Sequence, residues 1–413
     1  MARILRFDRL PIERPTLVLD RERVMRNIAR MSARAKAAGV GFRPHFKTHQ
    51  SALIGDWFRD HGVTGITVSS VAMAEYFAAA GWSDITIAIP VNPREIARIR
   101  ELAGLIELGV LVESRETVDL LAESLDAPVQ VWIKVDAGYG RAGIRWDETD
   151  RIRALAQRIR EQRRLSFAGI LAHSGHSYHE VRWGDIQATR QAVLRVHEES
   201  LTRLQGVREA LLAGGLEACA ISVGDTPTCS QAEHFRGADE IRPGNFVFYD
   251  LMQLQLGSCT GAEIAVAVAT PVLAVYPERR QILLYGGAVH LAVQALPGAS
   301  ERRWFGCLAA ELAGTTGETR PQVGSPHESA GRERAITAEQ TEGLGIPEMA
   351  APLTSLSQEH GIADLPEALI ETIRCGDIVL VYPVHSCLTG NLYDRYVTLG
   401  GEEIPRFRSL PSA

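Results

Sequence analysis

The sequence has no cysteines close enough together to read as a metal knuckle or a disulfide framework. Its six cysteines, Cys219, Cys229, Cys259, Cys307, Cys375 and Cys387, lie scattered through 413 residues with no C-x-x-C spacing. Free thiols in a reducing, cytoplasmic setting are therefore expected. Excess positive charge is missing too: the net charge of −6 argues against nucleic acid or an anionic membrane as partner, since both require a basic face. No apolar run is long enough to span a bilayer. Residues Met1 to Leu10 mix Arg and Asp among apolar side chains, without the continuous apolar stretch of a secretory signal. No internal repeat is found. What is present, 46% apolar and 23% charged residues, describes an ordinary globular protein, and its length exceeds one compact core, so two domains are expected.

From Thr16 to about Asp250, short β-branched runs alternate with amphipathic stretches rich in Ala, Arg and Leu. The candidate strands are 16–20, 40–46, 65–70, 84–90, 109–113, 129–136, 167–173, 220–224 and 240–247. Helical patterns fall between them. Continuous apolar strands separated by helices predict a parallel sheet covered on both faces, and about eight such units predict a closed (β/α)8 barrel. Nine strands compete for eight places, so one, the first or the last, must be peripheral. After Asp250 the strands 261–276, 281–290, 376–381 and 396–399 follow each other without long helices, which predicts a mainly β domain. The expected organisation is α/β: a TIM-type barrel over 14–252, with a mainly-β domain made of 1–13 and 253–413. Segment 314–343, rich in Gly, Thr, Glu, Arg and Pro, reads as a surface loop or insertion.

Lys47 is the most informative residue. It sits in Arg43-Pro44-His45-Phe46-Lys47-Thr48-His49, just after a strand. A lysine at the C-terminal end of a barrel strand points into the mouth where active sites collect, and partial desolvation makes it a Schiff-base former. Pyridoxal phosphate is the common aldehyde partner. Other clusters also follow strands. In Lys134-Val135-Asp136-Ala137-Gly138-Tyr139-Gly140-Arg141-Ala142-Gly143 a glycine-rich loop presents Arg141, a fixed fork for an oxyanion. His173-Ser174-Gly175-His176-Ser177-Tyr178 places two histidines and a tyrosine together. Ser222-Val223-Gly224-Asp225-Thr226-Pro227-Thr228 offers backbone N–H groups and a hydroxyl to a phosphate, although Asp225 is awkward beside one. The Gly244-Asn245 turn of Ile241-Arg242-Pro243-Gly244-Asn245-Phe246-Val247-Phe248-Tyr249-Asp250 could close the other side, with Tyr249 reaching the ligand. Turn chemistry alone also favours these residues.

Far away, Pro383-Val384-His385-Ser386-Cys387-Leu388-Thr389 holds an H-x-C pair. On an extended segment the two side chains would share one face, and imidazole with thiolate suits zinc. Two protein ligands leave open positions, as catalysis needs.

These motifs, in this order, resemble those of the alanine-racemase-like, fold-type III pyridoxal-phosphate enzymes. Within that superfamily the chain is similar to the metal-activated D-serine dehydratase and D-threonine aldolase branch, over roughly Leu10 to Leu399. The resemblance implies a Schiff base on Lys47 and Arg141 at the cofactor's phenolic oxygen. It implies a phosphate cradle of Gly224, Thr226, Gly244 and Asn245, with Asp225, which stands where the family has a smaller residue, His176 and Tyr249 also at the cofactor. His173 and Tyr178 would act on substrate, and His385 and Cys387 would hold a divalent metal, zinc or manganese. The implied activity is a lyase acting on a D-configured β-hydroxy amino acid by β-elimination to a keto acid and ammonia. A retro-aldol cleavage to glycine and an aldehyde is the alternative. A non-catalytic pyridoxal-phosphate carrier, the reading from another class, would need neither the β domain nor H-x-C. Racemisation ranks low, because Gly257-Ser258-Cys259-Thr260 lacks the tyrosine that racemase relatives use as second base. A homodimer is implied by resemblance alone.

Overall fold

Eight strands follow one another along a parallel sheet: β1 Gly41–Phe42, β2 Gly65–Val68, β3 Asp84–Pro90, β4 Glu107–Val112, β5 Val129–Asp136, β6 Leu165–Leu171, β7 Ala220–Val223 and β8 Glu240–Ile241, with a ninth, Ile144–Arg145, pairing off the end of β5. The computed structural model describes residues 2–4, 7–182, 184–297, 303–312 and 351–408; segment 314–343, read as a loop, lies outside them. The strands are ordered β1-β8-β7-β6-β5-β4-β3-β2. The seam between β1 and β2 closes just past β1, where His45 bridges to Thr67. There Phe46 donates its N–H to Thr67 O at 2.8 Å, and Thr67 donates to Pro44 O at 3.0 Å. The result is the expected barrel. β1 and β8 are shorter than expected because Pro44 and Pro243 interrupt them and have no N–H to give. Pairing nevertheless continues beyond both, with His45 N–H donating to Pro243 O at 2.9 Å.

The helices cover the barrel through one apolar face each. Arg21–Ala38 starts at Asp20, whose side chain accepts the Arg23 N–H, and ends at Gly39 in the left-handed region with φ 68°. Its Val24, Ile28, Met31 and Ala35 are buried against the sheet at helical spacing.

The barrel interior is not wholly apolar. Arg43 forks onto Asp84 at 2.6 and 2.8 Å and reaches Glu240 at 2.7 Å. Glu240 accepts from Ser222 Oγ at 2.6 Å, and Ser222 Oγ in turn accepts from Arg242 Nε at 2.6 Å. A polar column therefore runs up the barrel to its mouth. Gly65 makes room for it: a Cβ there would fall 2.5 Å from Asp84 Oδ2 and 2.6 Å from Arg43 Nη1.

The peripheral strand is the first. Thr16–Leu19 leaves the barrel sheet, pairs antiparallel with Val266–Tyr276 and runs parallel to Arg395–Thr398. The long Val266–Tyr276 strand also pairs with Gln281–Tyr285 and Ile378–Pro383, so it organises the second, mainly β domain. Leu353–Leu356, His360–Asp364 and Glu403–Pro405 complete the main path of this sheet, with Gly306–Leu308 on Ile378–Pro383. Among the described residues no helix is long and apolar enough to cross a membrane.

Candidate active site

A cavity of about 480 Å³ opens at the C-terminal ends of the barrel strands and is bounded on its far side by the β domain. Of the residues singled out from sequence, Lys47, Arg141, His173, Tyr178, Gly224, Asp225, Thr226, Gly244, Asn245, His385 and Cys387 line it. Tyr249 does not. Its hydroxyl is buried elsewhere, accepting from Arg30 Nη2 at 3.0 Å and lying 3.1 Å from Ser230 Oγ. His176 also falls outside the lining and stacks on Tyr139, ring centroids 6.2 Å apart.

Lys47 follows β1 on a loop held from both sides. Phe46 packs among Phe58, Phe77 and Trp82 at 5.0 to 5.2 Å between ring centroids. The carbonyl of His49 accepts from Tyr396 Oη at 2.9 Å and from Arg406 Nε at 3.2 Å, both from the β domain. The lysine side chain is open to solvent through the cavity, yet enough protein surrounds its amine to lower the pKa. The Cys387 thiolate opposes that shift, while Arg141 and Arg242 add to it.

Asp136 shapes the loop that carries Arg141. Its Oδ1 accepts the backbone N–H groups of Gly138, Tyr139 and Gly140 at 2.9, 2.8 and 3.1 Å. Gly140 adopts φ 74°, which glycine takes at no steric cost. Arg141 then lies over the Tyr139 ring, 5.0 Å from its centroid. Two further cations face the cavity. Lys134 is pushed down to about 7 by burial and by Arg242 and Arg141. Arg242 is also buried, its Nη2 donating to Ala172 O at 2.6 Å.

After β6 the chain enters a tight turn, Gly175–His179. His173 Nδ1 lies 2.6 Å from Gly224 O; a carbonyl only accepts, so Nδ1 carries the proton and Nε2 is a free acceptor. Burial, then Lys47, holds this imidazole far below the usual histidine range. Burial, then Asp225 and Cys387, holds the Tyr178 phenol well above the usual tyrosine range.

Asp225 borders the cavity but turns its carboxylate into hydrogen bonds within the protein. It caps helix Thr226–Gln231, accepting Thr228 N–H and Thr228 Oγ1 at 2.8 Å each and Ser177 Oγ at 3.0 Å. Burial raises its pKa to about 6. Thr226 Oγ1, beside it in the cavity wall, is buried without a hydrogen-bond partner among the described residues. Glycine at 224 and 244 is required by packing: a Cβ would fall 2.8 Å from Arg242 C at Gly224 and 2.8 Å from His45 O at Gly244.

On the β-domain side, His385 precedes and Cys387 belongs to the short helix Ser386–Gly390. This corrects the expectation of an extended H-x-C segment: a helix start, not a strand, brings the two side chains together. Cys387 Sγ lies 3.2 Å from Thr48 Oγ1, next to Lys47. Burial alone would raise the thiol, but His385 dominates and brings it down to about 7. Burial likewise disfavours the imidazolium, and the Cys387 thiolate with Asp250 overrules it. Asn245 turns its amide toward this pair, donating to Asp250 Oδ2 at 2.6 Å and Ser386 Oγ at 3.0 Å.

His45, Lys134, Arg242 and Asp250 were not singled out from the sequence. Each lies inside one of the motifs quoted for its neighbours, and that adjacency was the available signal. A separate group, His197, Glu198 and His234, holds its donor atoms within 4.8 Å of one another away from the cavity.

Comparison with known proteins accounts for both halves of the chain. Residues 19–251 match the family described as "Alanine racemase, N-terminal domain", and residues 265–399 match "Putative serine dehydratase domain". The D-threo-3-hydroxyaspartate dehydratase of Delftia sp. (strain HT23) is 28% identical over 95% of this chain and 96% of its own. The D-serine dehydratase of Dictyostelium discoideum is 32% identical over 70% of this chain and 75% of its own. The solved Delftia enzyme superposes with a TM-score of 0.80 at 26% identity, covering 97% of this chain and 99% of that one. Another of its solved forms is described as metal-free. A D-threonine aldolase from Filomicrobium marinum, at 20% identity, shares the fold with a TM-score of 0.75 over 95% of each chain. The chain thus belongs to the alanine-racemase-like, fold-type III pyridoxal-phosphate enzymes, in the group related to D-serine dehydratase, D-threonine aldolase and D-hydroxyaspartate dehydratase.

Proposed function

We propose that this enzyme is a pyridoxal-phosphate- and metal-dependent lyase that removes the β-hydroxyl of a D-configured β-hydroxy amino acid, giving a keto acid and ammonia. The observation that carries the reading is convergence: the residue next to Lys47 lies 3.2 Å from Cys387 Sγ, so lysine and H-x-C pair serve one cavity.

The lining suits both groups. An anionic cofactor would meet Lys47, Arg141, Lys134 and Arg242, and Thr226 Oγ1, without a partner among the described residues, is a buried hydroxyl that could donate to its oxygen. A thiol brought down to about 7 beside an imidazole is a soft donor pair that favours zinc over manganese. When bound, pyridoxal phosphate withdraws electrons from an attached amino acid and the metal acts as a Lewis acid toward an oxygen.

The protein's own groups divide the remaining work. Lys47, with its lowered pKa, is available as a neutral amine: it would hold the cofactor and could take a substrate's Cα proton. His173 offers Nε2 as an acceptor, because Nδ1 is committed to Gly224 O. Tyr178 keeps its proton and can donate to a substrate oxygen. Arg141 and Arg242 set the charge of the wall that receives the anion. In the net reaction water is lost across Cα–Cβ and then consumed in hydrolysis, so the products are the 2-oxo acid and ammonium.

The same groups could serve retro-aldol cleavage if the β-hydroxyl proton left in place of the Cα proton. A homodimer is part of the proposal; exposed Leu388 and Leu392, at and just after the helix that holds Cys387, support it. The deciding experiment is a product assay with D-serine, D-threonine and 3-hydroxy-D-aspartate on the metal-loaded enzyme. Keto acid and ammonia are expected. Glycine and an aldehyde as the only products would sink the elimination reading.

A further inference from the structure

The H-x-C pair is braced by a carboxylate from the other domain. Asp250 is 0% exposed and closes the barrel segment that begins at Arg242. Its Oδ2 accepts the Ser386 N–H at 2.9 Å, Ser386 Oγ at 3.2 Å and Asn245 Nδ2 at 2.6 Å. The same oxygen lies 3.3 Å from His385 Nδ1, a nitrogen with no other partner among the described residues. The other oxygen, Oδ1, caps helix Leu251–Gln255 by accepting the Gln253 N–H at 2.9 Å. Both oxygens are thus committed, and the carboxylate cannot swing away.

A carboxylate facing Nδ1 favours the proton on that nitrogen and leaves the Nε2 lone pair for a ligand. Its bond to the Ser386 backbone fixes the one residue that separates the two donors. We infer that Asp250 is the positioning residue of the metal site: reaching across the domain boundary, it selects Nε2 of His385 and sets the turn that brings Cys387 alongside. This rests on the metal reading proposed above.

The test is a zinc titration of the cofactor-loaded protein against a competing chelator. Asp250→Asn keeps the shape and one acceptor oxygen, and is expected to bind zinc about 10–100-fold more weakly. The cofactor's visible absorption should stay unchanged, and the cobalt-loaded variant should show a shifted thiolate charge-transfer band. Zinc affinity within about twofold of wild type, together with an unshifted cobalt band, overturns the inference. If the variant does not fold, long-range nitrogen–proton NMR of histidine-labelled, zinc-loaded wild type decides, with His385 assigned by its loss in His385→Ala. Protonated Nδ1 supports the assignment; a proton on Nε2 with Nδ1 toward the metal overturns it. A wild-type protein whose zinc affinity is unchanged by His385→Ala sinks the metal reading itself, a result distinguishable from failure of Asp250→Asn alone.

Discussion

The barrel side and the β-domain side of the cavity are built in opposite ways. The barrel side collects one or two side chains from each of several strand ends, and the backbone that presents them is fixed by the parallel sheet. Among the described residues the β-domain side brings Gln294 and one turn, His385 to Cys387, whose geometry depends on Asp250 and Asn245 across the boundary. Cations dominate the first wall, and a soft donor pair dominates the second. Distributed strand ends suit a large anionic cofactor with several points of contact. A single braced turn suits one ion.

If that division is real, the two walls should fail separately. The largest effect is expected from Lys47→Ala, which should remove the cofactor's visible absorption and lower kcat/KM by about a thousandfold or more. Retention of either would break the assignment of covalent chemistry to the barrel. Chelation, or Cys387→Ala, should lower turnover by about a hundredfold or more while leaving that absorption in place. Bleaching by the chelator would mean that the walls are one structural unit.

A smaller effect concerns pH. The Asp225 carboxyl is raised from 3.8 to about 6 in the folded protein, so the fold binds this proton more tightly than the unfolded chain does. Its stabilising contribution is complete below about pH 4 and is lost as pH rises through about 6, an effect of order 3 kcal/mol. Asp225→Asn keeps a helix-capping side chain, and the fall in Tm between about pH 5 and about pH 7.5 should shrink by about a degree or two. An unchanged pH profile would show that the cap does not carry this strain. The smallest effect sharpens the boundary of the barrel wall: Tyr249→Phe should leave kcat within about twofold and cost about 1 kcal/mol of stability. A spectral change in the cofactor would return Tyr249 to the site.

Legibility in the sequence followed the same divide. β3 and β5 have the ends expected from their β-branched runs, because local pattern and pairing agree there. Thr16–Leu19 had the same pattern but pairs in the other sheet, since periodicity reports a buried strand and not its partner. The clusters after β1, β5, β6 and β7 were legible because a strand end in a barrel has a fixed destination. Arg242 was passed over because a buried arginine in Arg242-Pro243-Gly244 reads as turn flank until Ser222 and Ala172 are seen beside it. Asp250 was invisible for a similar reason: the backbone that it grips is 136 residues further on.

The carbonyl of His49 is held by Arg406, 357 positions later in the chain. All the residues between the two must be synthesised before that clasp exists, while the barrel that bears Lys47 can already have folded. The loop of Lys47 therefore stays untethered on one side until Tyr396 and Arg406 have been made. Its final geometry is reached only once Arg406 has left the ribosome.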